Sequence, residues 1–139
     1  MILLDTNVVS ELMRPAPEPR VFGWFESIGN TPLALASMTV ADLRHGIERL
    51  PEGRRRDDLG RRLALLLADQ FGRRVLAFDA AAAAIYGTIA AAREGRGRSV
   101  EIADLVIAAT ALARGAELAT RNTRHFEGSG LTLHDPWGA

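Results

Sequence analysis

Short apolar runs alternate with helical patterns along this chain, and that alternation leaves few folds open. Ile2 to Leu4 is an apolar run that stops at Asp5 and reads as a buried strand. Thr6 to Met13 reads as a helix, ended by Pro15, Pro17 and Pro19. Val21, Phe22, Trp24, Phe25 and Ile28 recur at helical spacing and close at Gly29-Asn30. Leu33 to Ala36 is a second strand. Thr39 to Leu50 is a helix with Val40, Leu43 and Ile47 on its apolar face, and Pro51-Glu52-Gly53 ends it. Arg54 to Gln70 is a further helix, polar first and Leu-rich later. Val75 to Phe78 is a third strand. Asp79 then caps a long Ala-rich helix to about Arg93, followed by a turn at Gly95, Gly97 and Ser99. Ile102 to Ala113 is almost wholly apolar, which predicts a central buried helix with Gly115 as its stop. Glu117 to Thr120 and Leu131 to Leu133 complete the strands. The alternation predicts an α/β fold with a mainly parallel central sheet and helices on both faces.

The 139 residues suit a single domain over positions 1–139. A chain of this size buries roughly 70% of its unfolded surface and needs no staple. There is no cysteine, which excludes a disulfide framework, a thiolate metal site and a cysteine nucleophile, and fits a reducing cytoplasm. The opening Met1-Ile2-Leu3-Leu4-Asp5 lacks the basic start of a secretory signal. No apolar run approaches the ~20 residues of a membrane helix. The formal net charge is zero, so total charge implies no broad surface for polyanions. Its distribution is less even: all 17 basic residues are arginine. From Arg44 to Arg74 nine arginines face five acids, Glu48, Glu52, Asp57, Asp58 and Asp69. That stretch reads either as a solvated helix face laced with ion pairs or as a flank facing phosphates or a partner. The aromatic cluster at Phe22, Trp24 and Phe25 is similarly open between a core face and a partner-facing patch.

Three acids stand out by position. Asp5 ends the first strand, where ligand sites of open α/β sheets lie, and it is equally a good helix N-cap. Asp42 follows Thr39 by three residues, the spacing of a capping box with Asp in the acid's place. Asp104 sits among Ile102, Ala103, Leu105, Val106 and Ile107. An ionised carboxylate in such surroundings costs several kcal/mol unless paired or metal-bound, although an acid in a helix's first turn also favours the helix dipole. Asn122 is a fourth polar group beyond a strand end, or a cap for the turn Thr123 to Phe126. Oxygen ligands converging on one sheet edge suit a hard divalent cation, Mg²⁺ or Mn²⁺. His45, His125 and His134 lack zinc-site spacing, no P-loop sequence occurs, and no nucleophile elbow is present. An aspartyl phosphatase would want a second Asp where Asn7 stands.

Read together, these segments resemble the motifs of PIN-domain ribonucleases, specifically toxin subunits of the VapC and FitB type. The likeness is carried by Leu3-Leu4-Asp5-Thr6-Asn7-Val8-Val9-Ser10-Glu11, by Thr39-Val40-Ala41-Asp42-Leu43-Arg44-His45-Gly46, by Ile102 to Ala111, and by Thr120-Arg121-Asn122-Thr123-Arg124-His125-Phe126. Asp135-Pro136-Trp137, Phe78-Asp79 and Tyr86-Gly87 also fit. The resemblance implies a PIN-like fold, a Mg²⁺- or Mn²⁺-dependent endoribonuclease, and a small DNA-binding antitoxin as partner. It further implies a homodimer, a toxin–antitoxin hetero-oligomer, and operator DNA reached only through the antitoxin.

Asp5 and Asp104 match the family's acids directly, whereas Asp42 replaces its usual Glu, Asn122 is neutral, and many relatives carry Asp where His125 stands. The resemblance assigns catalysis to Asp5, Asp42, Asp104 and Asn122, with the metal held by Asp5 and Asp104 and by Asp42 directly or through water. The alternative is a PIN-fold subunit with little or no catalysis that serves mainly in a DNA-binding repressor complex.

Overall fold

The computed structural model describes residues 1–69, 71, 74–97 and 101–138. The strands are β1 (Ile2–Leu4), β2 (Leu33–Ala36), β3 (Val75–Leu76), β4 (Glu117–Ala119) and β5 (Leu133–His134). The helices are α1 (Thr6–Leu12), α2 (Pro19–Ser27), α3 (Ser37–Glu48), α4 (Arg54–Asp69), α5 (Ala80–Gly95) and α6 (Ile102–Ala113). A 3-10 turn spans Thr123–Phe126. The strands form one sheet in the order β3-β2-β1-β4-β5, and every pairing is parallel. Parallel neighbours need crossovers, and the helices supply them.

The period of two along each strand sorts side chains between the two faces. Ile2, Leu4, Leu33 and Leu35 enter a core with Val8, Val9, Val21, Leu43, Ile47 and Leu63 from α1 to α4. Leu3, Ala34, Ala36 and Leu118 enter a second core with Ile107, Ala108 and Ala111 of α6 and Phe126. Both faces are therefore covered, which is why β1 and β2 are apolar at every position. Among the described residues no helix is long and apolar enough to cross a membrane.

Several sequence-based boundaries shift. The third strand stops at Leu76, not Phe78, and the last is Leu133–His134, not Leu131 to Leu133. Both are edge strands of two residues, so one neighbour's register sets their length. The helix expected from Thr39 starts at Ser37, directly after β2, with Ala36 as an N-cap that makes no side-chain bond. Thr39 is thus already inside the helix and fully buried, so the Thr39–Asp42 capping box does not form. The expected end at Gln70 and the turn residue Ser99 lie outside the described residues. Helix α6 matches its expected span and buries Leu105 and Ile107 to Ala111, but its first residue, Ile102, is 67% exposed. In the aromatic segment, Val21 is buried and Trp24, Phe25 and Ile28 lean on the first core. Phe22 alone of its rings stays well exposed, so most of that patch is core.

Candidate active site at the sheet's switch point

From β1 the chain moves outward to β2 and β3, then returns to pair β4 on the other side of β1. The two directions diverge between β1 and β4, and a crevice opens at the carboxyl ends of strands where this happens. Asp5 follows β1 and Thr120 follows β4, so both stand at that crevice. Helix α3 leaves β2 without a loop, which places Asp42 on its second turn beside α1. Asp104 occupies the first turn of α6.

Asp5 is held at both oxygens. Oδ1 accepts the Thr6 amide at 2.8 Å, and Oδ2 accepts the buried Thr120 hydroxyl at 2.7 Å. Asp5 is thus the N-cap of α1 and at the same time stands at the crevice. Its carboxyl is raised above the ordinary value of 3.8, chiefly by burial; the bonds from Thr120 and Thr6 oppose this, and the charges of Asp104 and Asp42 add to it. Thr6 links two of the acids, its amide bonded to Asp5 and its hydroxyl to Asp42. Asp42 accepts a longer bond from the Thr6 hydroxyl at 3.3 Å. Asp104, with a side chain 16% exposed, is also raised by burial. The 2.9 Å contact with His125 Nδ1 opposes that rise, as do the charges of His125 and Arg93.

Asn122 joins through its backbone: its amide donates to Thr120 Oγ1 at 3.1 Å, while its side chain makes no capping bond to the 3-10 turn. Asn7 Oδ1 accepts the Arg121 amide at 3.2 Å and so ties α1 to the end of β4. Thr6, Thr120 and Arg93 were invisible as site residues in the sequence. Thr120 had one signal, its place two residues before Asn122; Arg93, only 6% exposed, read simply as a helix end.

Beside Asp42 a groove of about 880 Å³ runs between α1, α3 and α4. Met13, Leu43, Ile47 and Leu59 give it apolar walls, and Arg14, Arg54, Arg55 and Arg62 supply positive charge. The arginine-rich segment thus divides. Arg56 and Arg61 pair with Glu48 and Asp58, as a solvated face would, while Arg54, Arg55 and Arg62 line the groove.

Among the described residues no three acid, histidine or cysteine side chains are gathered closely enough to hold a metal ion as they stand. Separated carboxylates are nonetheless the donors Mg²⁺ uses, since it keeps several waters and takes one or two carboxylates along with phosphate oxygens. Asp5, Asp42 and Asp104 are oxygen donors, the kind a hard divalent ion takes.

Comparison with known proteins agrees with this fold. The PIN domain family matches residues 2–129. The plasmid stability protein StbB of Pseudomonas syringae pv. tomato is 44% identical over 139 residues, covering 100% of both chains. The VapC ribonuclease Y4jK of Sinorhizobium fredii is 40% identical over 137 residues, covering 99% of this chain and 98% of its own. The crystal structure of FitAcB from Neisseria gonorrhoeae superposes with a TM-score of 0.90 at 39% identity, covering 100% of both chains. A matching family over nearly the whole length, on an all-parallel sheet with acids at its switch point, places the chain in the PIN-domain family, among the toxins of the VapC and FitB type.

Proposed function

We propose that this chain is a Mg²⁺- or Mn²⁺-dependent endoribonuclease, the toxin of a toxin–antitoxin pair. The observation that carries the reading is the hydrogen-bonded arrangement at the crevice between β1 and β4, where Thr6 and Thr120 hold both oxygens of Asp5 and the Thr6 hydroxyl reaches Asp42. The similar protein Y4jK, named as a VapC ribonuclease, supports it. Asp5 and Asp104 would hold the ion most directly, and Asp42, one methylene shorter than Glu, directly or through a water. When bound, the ion would offset the carboxylate charges, polarise the scissile phosphoryl group and favour attack by water.

The protein's own groups do the positioning. Thr6 and Thr120 fix the two oxygens of Asp5, so its carboxylate cannot rotate away. Thr120 also holds the Asn122 backbone amide, and the Asn122 side chain would orient water or substrate by hydrogen bonding. Water attacking phosphorus in line would break the ester bond and leave a 3′-hydroxyl and a 5′-phosphate. A recessed site favours single strands or loops over a duplex. The groove beside Asp42 would receive an antitoxin segment or the RNA flank: its walls accept apolar side chains, and its arginines accept carboxylates or phosphates. A homodimer, assembly with the antitoxin, a cytoplasmic location and operator contact only through the antitoxin complete the proposal.

The test is incubation of the antitoxin-free chain with a tRNA pool, with Mg²⁺ or Mn²⁺ and with EDTA. Cleavage that requires the ion and is lost in Asp5→Asn and Asp104→Asn is the expected result. No cleavage in any condition, with antitoxin and operator binding intact, favours the partner-subunit alternative.

A further inference from the structure

Arg121 stands between two residues of the crevice. Thr120, before it, is fully buried and donates its hydroxyl to Asp5 at 2.7 Å. Asn122, after it, is tied by its amide to the Thr120 hydroxyl oxygen at 3.1 Å. The Arg121 amide itself donates to Asn7 Oδ1 of α1 at 3.2 Å. The backbone here is thus fixed from β4 and from α1, while Arg121 is exposed.

Its guanidinium is held as well, but by a ring and not by an acid. The central carbon lies over Trp137, 5.0 Å from the ring centre, which is a cation–π distance. Trp137 is 8% exposed, packs in the first core and donates its own amide to Asp135 Oδ1 at 3.0 Å, so the platform is fixed. Other arginines find oxygen partners: Arg14, Arg56 and Arg114 pair with carboxylates, and Arg62 and Arg74 donate to backbone carbonyls. Among the described residues no oxygen accepts from the Arg121 guanidinium. An aromatic ring occupies a face of a guanidinium. The N–H donors lie in its plane and stay available as the fork that matches a phosphate. Electrostatics supplies the target: Asp5 and its fellow acids put negative charge where an RNA backbone has to come, and a fixed cation on the rim offsets it.

We propose that Arg121 binds a phosphate of the RNA strand on the β4 side of the crevice, and that Trp137 is the positioning residue that holds its guanidinium there. The inference rests on the ribonuclease reading above and adds to it a substrate contact that involves no metal. Stacking limits the freedom of a long side chain before the substrate arrives, so less is lost when the contact forms. The turn Asp135-Pro136-Trp137 thereby serves the site as well as the core.

The experiment is fluorescence anisotropy of a labelled, mixed-sequence, single-stranded oligoribonucleotide, titrated with the antitoxin-free full chain in EDTA at several salt concentrations. Arg121→Ala is expected to bind several-fold more weakly, with a dependence of log affinity on log salt that is flatter by about 0.7, one single-strand phosphate contact. Arg121→Lys keeps the charge without the planar fork, so affinity should fall while the slope stays. Trp137→Leu should show that same signature and add no further loss to Arg121→Ala. Arg20→Ala, whose guanidinium pairs with Glu18, should change neither quantity. Salt-dependent binding by wild type that Arg121→Ala leaves unaltered, or an equal loss in Arg20→Ala, overturns the inference and leaves the ribonuclease reading standing. So does a wild type that cleaves the tRNA pool with the ion yet binds no RNA in EDTA. A loss from Trp137→Leu that is as large without Arg121 as with it overturns the positioning role. Arg121→Lys indistinguishable from wild type overturns that role too, without disturbing the core. Absence of both RNA binding and ion-dependent cleavage, with the melting transition of wild type intact, overturns both readings.

Discussion

Asp5 concentrates the conflict between stability and function in one side chain. Its folded carboxyl is raised from 3.8, mainly by burial, so the ionised form costs stability. That cost is absent below the unfolded value and complete above the raised folded value. The metal-free protein therefore loses stability as pH rises through that interval, and Asp104, raised by burial in its turn, acts in the same direction. In EDTA at pH 7, Asp5→Asn should melt higher than wild type by at least about 2 °C, with the gap narrowing as pH falls toward 4. A lower melting temperature for the variant would mean that the bonds from Thr6 and Thr120 outweigh burial. Thr120→Val isolates one of those bonds. It leaves a buried carboxylate oxygen without its donor, costs about 1–3 kcal/mol in thermal or urea unfolding, and raises Asp5 further. Asp42→Glu restores the methylene and should lower the Mg²⁺ or Mn²⁺ concentration for half-maximal cleavage. An unchanged midpoint would show that the position of α3 already compensates for the shorter arm.

Elements were legible in the sequence where burial or caps dictate them. β1, β2 and α6 are apolar at nearly every position because the sheet is covered on both faces, and their spans agree with expectation. The edge strands β3 and β5 carry no such signal, since half of each faces solvent or a loop, and their limits shifted. The Thr39–Asp42 spacing misled for a related reason: the tight β2–α3 join moves the helix start two residues earlier, a tertiary effect that no local pattern contains. The acids of the candidate site were legible, but the hydroxyl that holds Asp5 and the arginine that holds the His125 carbonyl were not, because Thr120 and Arg93 acquire meaning only when β4 reaches β1 and α5 reaches the 3-10 turn. Asp79 was a correct local reading: its Oδ1 caps α5 through the Ala82 amide at 3.0 Å. That bond, first, holds its carboxyl below 3.8 against desolvation, and the Arg114 charge and hydrogen bond add to the lowering. The stabilisation is present above the unfolded value and fades as pH falls through the folded one. Asp79→Asn should therefore melt below wild type at pH 6, and the deficit should shrink in melts at progressively lower pH below 4.

On the scale of the whole molecule, the all-parallel sheet sends its helices to two faces and leaves one open end between β1 and β4. The acids stand at that end, and three of the four arginines at the flank, Arg54, Arg55 and Arg62, belong to a different unit, α4. Chemistry and binding are thus built from separable parts. Arg54 and Arg55 line the groove that runs up to Asp42, whereas Arg56, on the same turn of α4, pairs with Glu48 on the opposite side. Phosphates of an RNA leaving the site along the groove would meet the first two and miss the third. The double variant Arg54→Ala/Arg55→Ala should therefore raise KM for RNA several-fold at near-constant kcat. It should also flatten the dependence of log affinity on log salt by about 1.4, the contribution of two single-strand phosphate contacts. Arg56→Ala is the internal control and should change neither quantity. Steady-state cleavage at several salt concentrations decides it. An unaltered salt slope in the double variant would assign the groove to the antitoxin alone and send the RNA past the other flank, over Arg121 and Arg124 at the end of β4.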